Sequence, residues 1–140
     1  MKSAGEYAAS LLIRRRYTEK ELVRKMTEKK YSPEEIEDVV LYLKENGSID
    51  DADYARRFAH DAMLLKGYGK LRVRRQLREK GIDDAVIDEV LFATDIDEKD
   101  TILKFLEKHK DVEKESAIRR LMNRGFQYYD IEEVWTKLYG

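Results

Sequence analysis

Tyr68-Gly69-Lys70-Leu71-Arg72-Val73-Arg74-Arg75-Gln76-Leu77-Arg78-Glu79-Lys80-Gly81-Ile82 decides the fold, because related forms of it stand on either side. Tyr68 to Val73 overlies Tyr17-Thr18-Glu19-Lys20-Glu21-Leu22, and without a gap Leu77 then meets Met26 and Ile82 meets Tyr31. The same offset of 51 carries Ile36 to Ile87 and Val39-Val40 to Val90-Leu91. An offset of 44 carries Leu77 to Leu121, Lys80-Gly81-Ile82 to Arg124-Gly125-Phe126, Ile87 to Ile131 and Val90-Leu91 to Val134-Trp135. Self-similarity at this period marks supersecondary units that bury their apolar faces against one another. Three units follow, at 1–46, 47–94 and 95–140, the third most divergent in its first half.

Each unit reads as three helices. Apolar residues recur at helical spacing in Leu22/Met26, Ile36/Val39/Val40/Leu43, Ala55/Phe58/Ala59/Met63, Val73/Leu77 and Ile87/Val90/Leu91. Helix starts carry a hydrophobic staple, an apolar residue before the cap and another five residues on: Tyr17 and Leu22 around Thr18, Tyr31 and Ile36 around Ser32, Tyr68 and Val73 around Gly69. Thr18 with Glu21 and Ser32 with Glu35 are capping boxes, and Pro33 suits the first helical position. Gly81 and Gly125 fit the left-handed turn after a helix; with Lys30 at the matching place in the first unit, that turn is expected to be slightly strained or differently shaped. The predicted helices are 4–15, 19–29, 33–45, 51–65, 70–80, 84–93, 98–109, 113–124 and 128–138. The fold class is all-α, an elongated array of three tandem three-helix repeats.

Composition agrees. Charged residues make up 41% of the 140-residue chain, against about 25% in an average globular protein, which favours thin layers of amphipathic helices. Lys+Arg is 28 and Asp+Glu 29, yet the charges are segregated. Residues 14–30 hold eight basic and three acidic side chains; 66–80 hold seven basic and one acidic; 82–98 hold seven acidic and none basic. Two basic blocks predict a face for a polyanionic or acidic partner. Arg14, Arg15, Arg16, Lys20, Arg24 and Lys25 supply it in the first unit, and Lys70, Arg72, Arg74, Arg75 and Arg78 in the second, flanking the Val73/Leu77 stripe. Lys114, Arg119, Arg120 and Arg124 offer a weaker version in the third, diluted by Glu113 and Glu115. The last helix of each unit is acidic, so a helix-turn-helix entry into the major groove is disfavoured and sequence-indifferent contact is expected.

Chemistry leaves few marks. With no cysteine there is no disulfide framework and no thiolate site. His60 and His109 fall in different units, so no metal site is expected. Gly67-Tyr68-Gly69-Lys70 lacks the rest of a phosphate loop and reads as a helix–helix turn. Asp50, Asp51 and Asp53 occupy a first helical turn, where carboxylates answer the helix dipole. No nucleophile–base pair emerges from spacing, so no enzyme activity and no cofactor are expected. No apolar run reaches about 18 residues and no secretory stretch opens the chain, so a cytoplasmic protein without a membrane partner is expected. Charge of mixed sign over 41% of residues, which leaves few apolar patches, predicts a monomer.

Ala8-Ala9-Ser10-Leu11-Leu12, then Arg16-Tyr17-Thr18-Glu19-Lys20-Glu21-Leu22 with Lys25-Met26, resembles the opening of the bacterial RecX family. Ile49-Asp50-Asp51-Ala52-Asp53-Tyr54-Ala55-Arg56-Arg57-Phe58 continues the likeness, as do Gly69-Lys70, Arg72, Arg75, Leu77 and Lys80-Gly81-Ile82. Arg124-Gly125-Phe126 with Ile131 resembles its closing unit. The resemblance implies a non-enzymatic regulator that lies in the groove of the RecA filament on single-stranded DNA. It would oppose recombination, ATP hydrolysis and RecA co-protease activity. RecA filaments and single-stranded DNA are the partners implied, with double-stranded DNA left open. A general DNA- or RNA-binding helical protein without a RecA target is the alternative.

Overall fold

The computed structural model describes residues 1–140 and is all-helical. Nine α-helices follow one another: α1 (Ala4–Arg14), α2 (Glu19–Glu28), α3 (Pro33–Glu45), α4 (Asp51–His60), α5 (Lys70–Glu79), α6 (Asp84–Ala93), α7 (Glu98–Lys108), α8 (Lys114–Asn123) and α9 (Tyr128–Tyr139). Three starts are locked by capping boxes. Thr18 and Ser32 accept from the N–H groups of Glu21 and Glu35, whose carboxylates accept the cap N–H groups in return at 3.0 and 3.1 Å. The third box, Ser3 with Glu6, begins α1 and was not among the sequence expectations. Each cap contributes about 0.5–2 kcal/mol.

Three helices end alike. The N–H of Tyr31 reaches the carbonyl of Met26, that of Ile82 reaches Leu77, and that of Phe126 reaches Leu121, each at 3.2 Å. The residue before each is left-handed: Lys30 at φ 68°, Gly81 at 84° and Gly125 at 104°. This is the Schellman closure, and its apolar residue folds back onto the helix it terminates. Of the two expectations for Lys30, a strained turn or a differently shaped one, the structure shows the first: the closure is the same and Lys30 is left-handed.

One expected helix is corrected. The segment 51–65 is not α-helical throughout; Asp61–Leu65 forms a π-helical turn closed by Lys66 N–H to the Asp61 carbonyl at 3.3 Å. The wider turn keeps Ala62 and Met63 buried while Leu64 and Leu65 face outward.

The chain forms two compact units, Met1–Arg57 with Leu77–Asp88, and Phe58–Gln76 with Glu89–Gly140. Helices α4, α5 and α6 give residues to both. The first unit contains a core of Ala4, Ala8, Tyr17, Leu22, Met26, Ile36, Leu43 and Ile49 between α1, α2 and α3. The second contains Ile102, Leu106, Ala117, Leu121, Phe126, Ile131 and Val134 between α7, α8 and α9. Leu22 and Leu121 are fully buried, each worth about 1.5–3 kcal/mol of transfer energy.

Candidate functional site

Helix α5 carries five of the predicted basic residues beside Val73 and Leu77, which are both fully buried. Lys70, Arg72, Arg74 and Arg75 belong to the second unit and Arg78 to the first. Arg75 is exposed, and Arg74 is half-buried. Arg78 pairs with Asp84 at 2.7 Å. Arg72 turns back: its guanidinium lies 3.9 Å from the centre of the Tyr68 ring and donates to the Asn123 carbonyl.

In the first unit, the start of α2 meets the turn after α5. The Thr18 hydroxyl donates to the Lys80 carbonyl at 2.6 Å. Gly81 passes so close that a Cβ there would lie 2.6 Å from the Lys20 Cβ. The N–H of Glu19 donates to the Asp51 carboxylate at 3.0 Å. Glu21 is buried at the centre, 3.5 Å from Arg15 and 3.9 Å from Lys80. The Arg15 guanidinium also stacks 3.6 Å over Tyr17. Arg15 is thus engaged by Glu21 and Tyr17 while its side chain stays exposed. Arg14, Arg16, Lys20 and Arg24 are exposed, Arg24 beside Glu28 at 3.8 Å, and Lys25 is half-buried.

The second unit shows a similar arrangement. The start of α5 meets the turn after α8. The N–H of Gly69 donates to the Arg124 carbonyl at 2.8 Å, and that of Leu71 to the Gly125 carbonyl at 3.1 Å. The N–H of Lys70 donates to the Glu98 carboxylate at 2.9 Å, as Glu19 does to Asp51. A Cβ on Gly125 would fall 2.5 Å from the Arg72 Cβ and backbone nitrogen. Arg124 donates to the Lys66 carbonyl at 2.9 Å, its guanidinium 5.4 Å from the Phe105 ring centre. Arg124 stood only in the weaker third-unit version of the predicted face, and Lys66 was counted in the basic block 66–80 without being named a face residue. The offsets of 51 and 44 would have found them, since they pair Lys66 with Arg15 and Arg124 with Lys80.

Both junction carboxylates, Asp51 and Glu98, are held above the ordinary carboxyl range, chiefly by burial. A hydrogen bond from a backbone N–H works against that rise in each. The other acidic residues near Asp51 have separate tasks: Asp50 accepts the N–H of Asp53 at 3.0 Å, and Asp53 pairs with Arg57 at 2.9 Å.

Two family models match, that for the first three-helix domain of RecX over residues 4–43 and that for the second over 50–91. Regulatory protein RecX of Chlorobium phaeobacteroides is 30% identical over 99% of this chain and 95% of its own. That of Haemophilus influenzae is 33% identical over 89% of this chain and 82% of its own. Among solved structures, RecX from Lactobacillus salivarius superposes with a TM-score of 0.82 at 20% identity, covering 96% of this chain and 94% of that one, a likeness of fold.

Proposed function

The chain belongs to the RecX family, and on that footing we propose that it binds the RecA filament on single-stranded DNA and opposes RecA recombination, ATP hydrolysis and co-protease activity. The observation that carries the proposal is the basic helix α5, embedded in the second RecX domain, with Lys70, Arg74, Arg75 and Arg78 outside the buried Val73/Leu77 stripe. Arg14, Arg16, Lys20, Arg24 and Lys25 extend the binding set in the first unit, with Arg15 serving as a positioning residue and Arg72 held against Tyr68. The reading is of a non-enzymatic cytoplasmic monomer built of three tandem three-helix repeats at 1–46, 47–94 and 95–140. Acidic side chains exposed on α3 and α6, Glu34, Glu35, Glu37 and Asp38 with Asp84, Asp88 and Glu89, argue against entry of these helices into a DNA groove.

The test is RecA ATP hydrolysis on single-stranded DNA, titrated with the protein at a salt concentration that abolishes its binding to bare DNA. Inhibition that persists there supports a filament target. Inhibition that vanishes together with DNA binding leaves the protein a general nucleic-acid binder.

A further inference from the structure

The two repeat junctions share a backbone and differ in charge. At the first, Arg15, Tyr17, Glu21 and Lys80 come together, and Glu21 is within ion-pair distance of both cations. At the second, the equivalent positions are Lys66, Tyr68, Arg72 and Arg124. Arginine stands where the first junction has its neutralising glutamate. Lys66, Arg72 and Arg124 have no carboxylate partner. The Arg72 Nε is buried without an acceptor.

The cations are nonetheless held in place. Arg72 donates to the carbonyl of Asn123, and Arg124 to that of Lys66, so each turn grips an arginine of the other. Tyr68 lies under Arg72, and Phe105 faces Arg124. Each guanidinium uses one terminal nitrogen on a carbonyl and keeps its second terminal nitrogen for another acceptor, while the Arg72 Nε is buried. Like charges would spread apart if they were free. Here the two guanidiniums are fixed without an ion pair to a carboxylate, although Asp97, Asp100 and Glu107 line the same cavity as Lys66 and Arg124, and the arrangement is preorganised for an external anion.

We propose that Lys66, Arg72 and Arg124 form a phosphodiester-binding site for single-stranded DNA, with Tyr68 as the residue that positions Arg72. The proposal deepens, and rests on, the reading of the chain as a binder of DNA-bearing filaments. A single strand fits because sequential phosphates can reach cations presented by two turns, and because the site makes no demand on base identity. The first junction, closed by Glu21, is structural only.

The experiment measures binding of a fluorescein-labelled oligothymidylate across a salt series, with thermal melting as the folding control. Arg72→Glu recreates the charge pattern of the first junction, so it should remain folded. It should lower the log–log salt slope by about 1.4, corresponding to two phosphates at about 0.7 each. Lys66→Gln removes an exposed side chain, so folding is not at issue, and it should lower the slope by about 0.7. Arg119→Gln with Arg120→Gln removes two exposed charges from α8 and should change the slope less than Lys66→Gln alone.

Unchanged slopes in folded Lys66→Gln and Arg72→Glu would overturn the site while leaving the filament reading in place. So would an Arg119/Arg120 effect as large as that of Lys66. Failure of the unsubstituted chain to bind oligothymidylate at low salt would overturn the site and also the DNA part of the preceding reading. RecA inhibition persisting in that case would preserve its protein part.

Discussion

Glu21 and Arg72 occupy equivalent places in two junctions of one chain, and the exchange reorganises everything around them. Where Glu21 is present, it accepts the Thr18 N–H, and the Thr18 hydroxyl is left to reach the Lys80 carbonyl. Where Arg72 replaces it, that N–H has no carboxylate, and Gly69 donates directly to the Arg124 carbonyl instead. Direct contact needs the backbones closer. A Cβ on Gly69 would lie 2.3 Å from the Gly125 oxygen, so Gly69 replaces Thr18 as Arg72 replaces Glu21. The two changes are one solution to a single requirement, an acceptor for the cap N–H. One junction is sealed by a side chain, the other by the backbone, and only the second leaves its cations unneutralised.

The sharpest way to break this comparison is to add a methyl group at each turn. Gly125→Ala meets the Arg72 backbone nitrogen and the Gly69 oxygen, which cannot move aside, besides the cost of a left-handed alanine. It should destabilise by about 3–5 kcal/mol. Gly81→Ala meets the Lys20 side chain first, and that can shift more readily than backbone, so it should cost about 2–3 kcal/mol. Denaturant titration of both variants checks the ranking; equal losses would mean that the two junctions are not differently sealed.

Next in size is the reciprocal exchange. Glu21→Arg puts a third cation between Arg15 and Lys80 and removes the acceptor of the buried Thr18 N–H, while Thr18 keeps its Cβ and prevents the closer approach. The loss should be about 2–4 kcal/mol. Arg72→Glu should cost less than half as much, because the incoming carboxylate gains Lys66 and Arg124. Equal costs in the two melting curves would show that the junctions tolerate either charge pattern.

What could be read beforehand follows from where the information sits. Staples and caps are local, so helix starts such as Thr18/Glu21 and Ser32/Glu35 were legible, and the strain at Lys30 followed from aligning it with Gly81 and Gly125. The π-helical turn was not legible. Ala62-Met63-Leu64-Leu65 is an apolar run that continues a helical pattern, and the first breaker is Gly67. The basic face was legible as a run of charges, but a run does not say which charges are already used. Arg15 and Arg72 lie on tyrosines and Arg78 on Asp84. Arg124 meets Lys66 across 58 residues, a contact made by the fold alone.

The closing turn of α2 offers a smaller effect. Lys30 is left-handed and exposed, and its counterparts in both other closures are glycine. Lys30→Gly removes a strain of about 1–2 kcal/mol but loosens the unfolded chain by part of that amount. A net gain of about 0.5–1 kcal/mol is expected. A loss on thermal or denaturant unfolding would mean that the lysine side chain contributes more than its backbone strain costs.

The smallest effect concerns what the two junctions share. Asp51 and Glu98 each accept the first N–H of a basic helix while half-buried, and burial raises both carboxyls above their ordinary range. Nearby acidic groups add to the rise, Glu19 and Asp83 around Asp51, Asp130 and Asp97 around Glu98. A raised carboxyl binds its proton more tightly in the native state than in the unfolded chain. Its favourable contribution is therefore full below the unfolded pKa and is lost as pH rises through the folded one. Asp51→Asn and Glu98→Gln keep an oxygen for the N–H and abolish the titration. Relative to the unsubstituted chain, each should gain stability as pH rises through and just above the ordinary carboxyl range of about 4. Partial exposure keeps the gain small for each. Subtracting melting temperatures of variant and parent at each pH cancels the ion-paired carboxylates Asp53, Glu132 and Glu133, whose pKa values move the other way. A difference that is flat with pH, or that falls as pH rises, would show that the backbone hydrogen bond outweighs burial at that junction. A difference at one site alone would show that the two junctions diverge in their shared carboxylate as well as at Glu21 and Arg72.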